Sequence, residues 1–339
     1  MQEDHPRISM AKAGKILRKS VHTFLQNYQF FTSIVALIAL PFSASVLISQ
    51  ALVPSSSSLL PTIYNRLQSL FDAAGFPPSS EFFSILNHKL SQTISSSIFT
   101  IPFTLTFLLI TKASVIQYLN HQKPTSFSSH PSFSSVISLY IPLLHTHIFN
   151  SFLILSANAT VFSLLFIAFN FLEGFGFSSP KTLLFLSASG AVLYSIVLAN
   201  ALIICNLSLV LSGTERSGGY LAILKACILI RGRTATALSL ALPVNLALAA
   251  IEALFQYRVV RACHFAGKLG SSMALEGLLI AYLYSVLVVL DTIVSFMFFK
   301  SCKPSSWADQ EGKHAGGIEY RDEESCGGYG NLKTLKELP

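Results

Sequence analysis

The chain has 339 residues, of which 52% are hydrophobic and 12% charged, about half the charged share of a soluble domain. Mean hydropathy is +0.58 and the apolar residues are blocked into long runs, which excludes a water-soluble globule and leaves a polytopic membrane protein. The formal net charge is +7, but the basic residues stand in short clusters beside apolar runs, a pattern that suits anionic lipid head groups and membrane topology, not nucleic acid.

Residues 1–29 form a polar, basic segment. Within it, residues 11–29 carry Ile16, Leu17, Val21, Phe24, Leu25 and Tyr28 at three- and four-residue steps, interleaved with Lys12, Lys15, Arg18 and Lys19. That periodicity predicts an amphipathic helix lying in the membrane surface; Glu3 and Asp4 count against a mitochondrial presequence. The first spanning run is 30–52. A short amphipathic stretch, 59–76, precedes the second span, 94–119, which carries Lys112 towards its end, where the ammonium is expected to snorkel to the interface. After a Ser- and His-rich loop come spans at 149–172, 182–211, 233–255 and 272–299. The expected fold is therefore all-α: one six-helix transmembrane bundle over 30–300, with in-plane amphipathic helices. A polar, Gly-rich and disordered tail is expected over 301–339.

Six spans put both termini on one side of the bilayer. Ten lysines and arginines fall on that side before the tail is counted, against six on the other (Arg66, Lys89, Lys181, Arg258, Arg261, Lys268). The excess favours cytosolic termini for a protein of an endomembrane or the plasma membrane, although Arg258, Arg261 and Lys268 in the fifth connection run against it.

Between the fourth and fifth spans lies "TERSGGYLAILKACILIRGRTA" (214–235). Tyr220, Ile223, Leu224, Cys227 and Ile228 fall on one continuous helical face with Lys225 opposite. About 12 residues of helix reach about 18 Å, too short to cross. Glu215 ahead of this helix and Arg231 and Arg233 at its end both suit the helix macrodipole.

This stretch resembles the hallmark of a group of plant six-helix membrane proteins without an assigned activity. They have an acidic residue, a glycine, a small-apolar helix and a basic-Gly-basic end at this place, here Glu215, Gly219, Ala222, Arg231, Gly232 and Arg233. A more distant resemblance is to the membrane domain attached to some bacterial glycerophosphodiester phosphodiesterases. The likeness extends over most of 11–303, including "AKAGKILRKSVHTFLQNYQFFTSIVALIALP" and "LDTIVSFMFFKSCK". It implies the bundle and its in-plane helices. It implies no chemistry, because the bacterial enzymes' catalytic domain has no counterpart here.

Asp291, in "VVLDTIV", is the deepest acid of the spans and the candidate intramembrane polar site. An aspartate at a helix centre costs about 2.5–3.5 kcal/mol on insertion scales. It reads either as a proton or cation site or as a neutral bundle residue, and no second deep acid or buried base stands out as its partner. Glu252 and Glu276 lie nearer span ends. Asn158, Asn170, Asn200, Asn206 and Asn245 read as interhelical hydrogen-bonding residues, and the NAT and NLS sequons at 158 and 206 fall inside spans. Pro41, Pro102 and Pro243 are expected to kink three spans. His145 and His147 are two apart and diverge on a helix, so no metal site is expected; the five cysteines show no metal-like spacing. "GFGFSSP" (174–180) lacks the preceding strand of a nucleotide loop. Cys302 is placed for S-palmitoylation. With no catalytic constellation and no cofactor motif, the leading expectation is a non-enzymatic membrane scaffold that organises lipid or assists a protein partner. The alternative is a transporter of lipid or a small solute with its polar site near Asp291.

Overall fold

A bilayer core offers no water to backbone N–H and C=O groups, so a chain with six long apolar runs satisfies them within helices. The structure, a computed structural model, describes residues 5–56, 59–73, 81–121, 133–174, 180–262 and 271–302. Among these residues there is no strand. Residues 122–132, 175–179 and 303–339 lie outside them, and with them most of the expected Ser- and His-rich loop, of the glycine-spaced stretch and of the tail, as do Cys263 and Cys326.

The helices in chain order are α1 (His5–Gln26), α2 (Tyr28–Ile34), α3 (Leu40–Ser56), α4 (Leu59–Ala73), α5 (Glu81–Phe103), α6 (Leu109–His121), α7 (Phe133–Gly174), α8 (Pro180–Glu215), α9 (Tyr220–Ile230), α10 (Thr234–Phe255) and α11 (Ser271–Cys302). Six helical runs are long and apolar enough to span a membrane: Tyr28–Ser49, Leu86–His121, Val136–Ala168, Leu184–Glu215, Thr234–Val260 and Ser271–Cys302. The chain is thus an all-α, multi-pass membrane protein.

Two spans widen into a π-turn beside a proline, whereas Pro243 lies within an unbroken α10. Pro41 cannot donate to the Leu37 carbonyl, and the chain widens into a π-turn, Val35–Ala39, between α2 and α3. Pro102 near the end of α5 precedes a second π-turn, Thr104–Leu108. There the Thr106 hydroxyl donates to Pro102 O (2.7 Å) and the Tyr140 hydroxyl of α7 donates to Leu105 O (3.0 Å), so backbone carbonyls of the turn are satisfied by side chains.

The third span departs from expectation. It does not open at Phe149: α7 begins at Phe133 and carries Pro142 and the 145–147 histidines within its helix. Those polar interruptions mask the first turns of the apolar run in sequence. At 42 residues, α7 is about 63 Å long, twice the depth of a bilayer core of about 30 Å, so it projects beyond the membrane.

Among the described residues, two apolar centres organise the packing. One gathers Leu109, Ala113, Val136, Leu139, Leu143 and Leu209 from the second, third and fourth spans. The other gathers Phe42, Leu47, Phe255, Val259, Ile280, Ala281, Tyr284 and Val288 from the first, fifth and sixth. Helix α1 packs against α10 and α4 against α5. The predicted stripe of α1 is divided: Ile16, Leu17 and Phe24 are half-buried alongside buried Ala13, Ser20 and Thr23, while Val21, Leu25 and Tyr28 face outward. At the corner into the first span, the Tyr118 hydroxyl donates to Asn27 Oδ1 (2.9 Å) and its ring stacks on Phe30.

Candidate functional site

The second, fourth and sixth spans run in the same direction, and each contributes one residue at similar depth to a polar bridge. Lys112 lies 9 residues before the end of α6, Asn206 9 residues before the end of α8 and Asp291 11 before the end of α11. At 1.5 Å per residue these are about 14–17 Å from the C-terminal ends of the helices, in the C-terminal half of each span.

Spans that meet bring these side chains together. Lys112 Nζ donates to Asn206 Oδ1 at 3.0 Å, and Asn206 Nδ2 donates to Asp291 Oδ2 at a longer 3.4 Å. The amide of Asn206 presents its carbonyl to the cation and its N–H to the anion, so one neutral side chain bridges two charges from separate helices. Lys112 is 7% exposed. Two sequence expectations are corrected here. Lys112 does not snorkel: nine further residues of α6 follow it, about 13 Å of helix, and its ammonium turns inward. Asp291 does have a buried basic partner, reached through Asn206.

A cavity of about 30 Å³ adjoins the site between α8, α10 and α11, with Asn206, Asp291 and Ser295 as its polar side chains and Ala237, Leu240 and Ala241 forming the α10 wall. Those α10 residues lie in the first turns of that helix, and Ser295 is one turn beyond Asp291. The cavity therefore approaches the site from the N-terminal side of the bundle. On the opposite side of Asp291, seven residues back along α11, Tyr284 donates its hydroxyl to Glu252 Oε1 of α10 (3.0 Å). Tyr284 belongs to the second apolar centre. Glu252 is thus half-buried and paired between helices, deeper than its sequence position suggested. Glu276 keeps to the far end of the bundle as expected, exposed and 3.5 Å from Arg258.

The hallmark residues build a separate arrangement at the end of α8. Glu215 closes α8 and pairs with Lys225 of α9 (2.6 Å), so its first partner is that ammonium and not the macrodipole of α9. Gly219 holds φ +84° and ψ −151°, a region essentially closed to other residues, and its N–H donates to Thr146 Oγ1 of α7 (2.9 Å). Gly218 sits so close to α7 that a Cβ would meet Pro142 O at 2.6 Å. Helix α9 turns Ala222, Ala226 and Ile230 inward, at four-residue steps that allow close approach to α7 and α8. Tyr220, Leu224, Cys227 and Ile228 of the predicted apolar face are exposed, available to lipid. Gly232 takes φ +80° at the turn into α10, and Arg231 and Arg233 beside it are exposed.

Among the described residues, Asn206 is the one predicted interhelical asparagine whose side chain bridges spans. Asn170, Asn200 and Asn245 donate to carbonyls of their own helices. Sequence reasoning missed Asn150, which donates to Cys205 O (3.0 Å) and accepts from Ser208 (2.9 Å), tying α7 to α8. His145 is exposed and His147 half-buried, and among the described residues no group of His, Cys, Asp or Glu could hold a metal. Cys302 ends α11 with its side chain buried (3% exposed), so acylation there requires that thiol to become accessible.

A family described as Domain of unknown function (DUF8558) matches residues 1–311. No curated protein matches the chain, and no solved structure matches it.

Proposed function

We propose that this chain, which belongs to the DUF8558 family, is a non-enzymatic membrane transporter of a small solute, worked through the intramembrane charge pair Lys112–Asp291. The observation that carries this reading is the bridge Lys112–Asn206–Asp291 across three spans. Two charged residues within membrane spans cost up to about 5–7 kcal/mol on insertion scales. Interhelical hydrogen bonds in membranes contribute about 0.6 kcal/mol each on average. Packing therefore does not account for the arrangement, since apolar side chains would hold three helices together at least as well. The argument against transport was an acid without a partner, and Lys112 removes it. The adjoining cavity adds a route of approach.

The experiment compares proteoliposomes bearing wild-type protein and Asp291→Asn. Both are incubated with a mixture of small solutes and their contents read by mass spectrometry. At least one solute is expected to accumulate with wild type and to fall at least tenfold with the variant. Equal contents for every solute would contradict transport through this site.

A second reading, a scaffold that organises anionic lipid on the leaflet facing the termini, is favoured by the outward apolar faces of α1 and α9 and by the exposed arginines at 231 and 233. We take that leaflet to be the cytosolic one, from the charge excess.

A further inference from the structure

We propose that the species loaded at the Lys112–Asn206–Asp291 site is a proton, delivered by a single water from the N-terminal side of the bundle, and that the Tyr284–Glu252 pair closes the opposite side. The proposal rests on the transport reading and names the coupling species of that same site.

The first argument is room. A cavity of about 30 Å³ beside Asp291 suffices for one water, which needs about 10–15 Å³ of such space and two or more polar partners. Asn206, Asp291 and Ser295 offer them. An organic ligand takes a pocket of roughly 300 Å³ or more. The second argument is charge. A metal cation shed of its water calls for about six oxygen ligands. Three polar side chains do not supply them, and the Lys112 ammonium on the far side of Asn206 repels a second cation in a medium that screens poorly.

The step balances simply. A hydronium in the cavity gives its proton to the Asp291 carboxylate; an O–H bond forms on the carboxyl and one water remains. Lys112 keeps its three protons and its bond to Asn206 Oδ1. The site passes from neutral to a net charge of +1, and the Asn206–Asp291 bond loses its charge assistance, which loosens the sixth span from the fourth. Among the described residues, the titratable groups that interact electrostatically with Asp291 are Lys112 and Tyr284, and those that interact with Lys112 are Asp291, His147 and Cys205.

The third argument is sidedness. The cavity is walled by the first turns of α10 and the last turns of α11. Beyond Asp291, the Tyr284–Glu252 bond sits within an apolar centre that includes Phe42, Phe255 and Ile280. Tyr284 and Glu252 thus stand between the site and that end of the bundle.

The test is infrared difference spectroscopy of the full-length protein in neutral-lipid vesicles, acid minus neutral. The carbonyl band of a protonated carboxylic acid is expected in wild type, lost in Asp291→Asn, retained at a shifted frequency in Asp291→Glu, and unchanged by sodium or potassium at fixed pH. A wild type without the band, a band that survives in Asp291→Asn, or a band displaced by either cation would overturn the proposal. In a background with all five cysteines replaced by serine, Ser295→Cys is expected to react with a small water-soluble thiol reagent applied from the N-terminal side. Ala281→Cys does not react from that side until Tyr284→Phe is added. Reaction of Ala281→Cys from the N-terminal side with Tyr284 intact would refute the closure. Solute uptake that depends on Asp291 without a proton band would sink this inference and spare the transport reading. A proton band without uptake of any solute would do the reverse.

Discussion

Gly218, Gly219 and Gly232 are three glycines of one connection with three different physical demands. Gly218 is required by contact, since its missing Cβ leaves room for the backbone at Pro142. Gly219 is required by conformation and by its hydrogen bond to Thr146. Gly232 has positive φ and open space around it. Alanine at 218 is therefore expected to displace α7 from the α8–α9 turn and cost about 1–3 kcal/mol. Alanine at 232 meets only the left-handed backbone penalty, about 1–2 kcal/mol. Thermal unfolding in detergent, combined with a cysteine cross-link between α7 and α9, separates the two. The cross-link yield falls for Gly218→Ala and holds for Gly232→Ala. Equal loss in both would refute the contact argument.

At the scale of the element, α9 shows what a sequence pattern conveys and what it withholds. Its extent, 220–230, was legible from the apolar period and from the glycines and arginines flanking it. Its outward apolar face was legible too. The inward face was not, because Ala222 and Ala226 are small and mark nothing in a hydropathy pattern; they matter only once α7 and α8 lie alongside. Lys112 was misread for a related reason. A lysine near the end of an apolar run suggests a route to water, but α6 continues to His121, and which way the ammonium turns is decided by Asn206 on another helix. Asp291 and Asn206 were each legible as polar residues in apolar spans, while their meeting is a property of packing. If α9 and its basic exit grip anionic lipid, the Arg231→Gln/Arg233→Gln protein is expected to retain at least twofold less co-purifying anionic lipid than wild type. Lipid mass spectrometry checks this, and equal retention would remove the support for the scaffold reading.

For the whole molecule, three parallel spans converge on one charge-bearing site, a water-sized cavity lies on its N-terminal side, and an apolar centre lies on the other. Such a bundle trades stability for a bridge that joins buried Lys112 to half-buried Asp291 through Asn206. Removing either partner strands the other, at about 3–5 kcal/mol, whereas removing both leaves no charge unmatched. The most direct measurement is a double-mutant cycle on unfolding in lipid-like micelles, with Lys112→Met, Asp291→Leu and the double variant. The Lys112–Asn206–Asp291 bridge predicts two costly single substitutions, a double variant no less stable than either, and therefore a coupling energy of at least about 3 kcal/mol. Additive effects, with no coupling between positions 112 and 291, would contradict it.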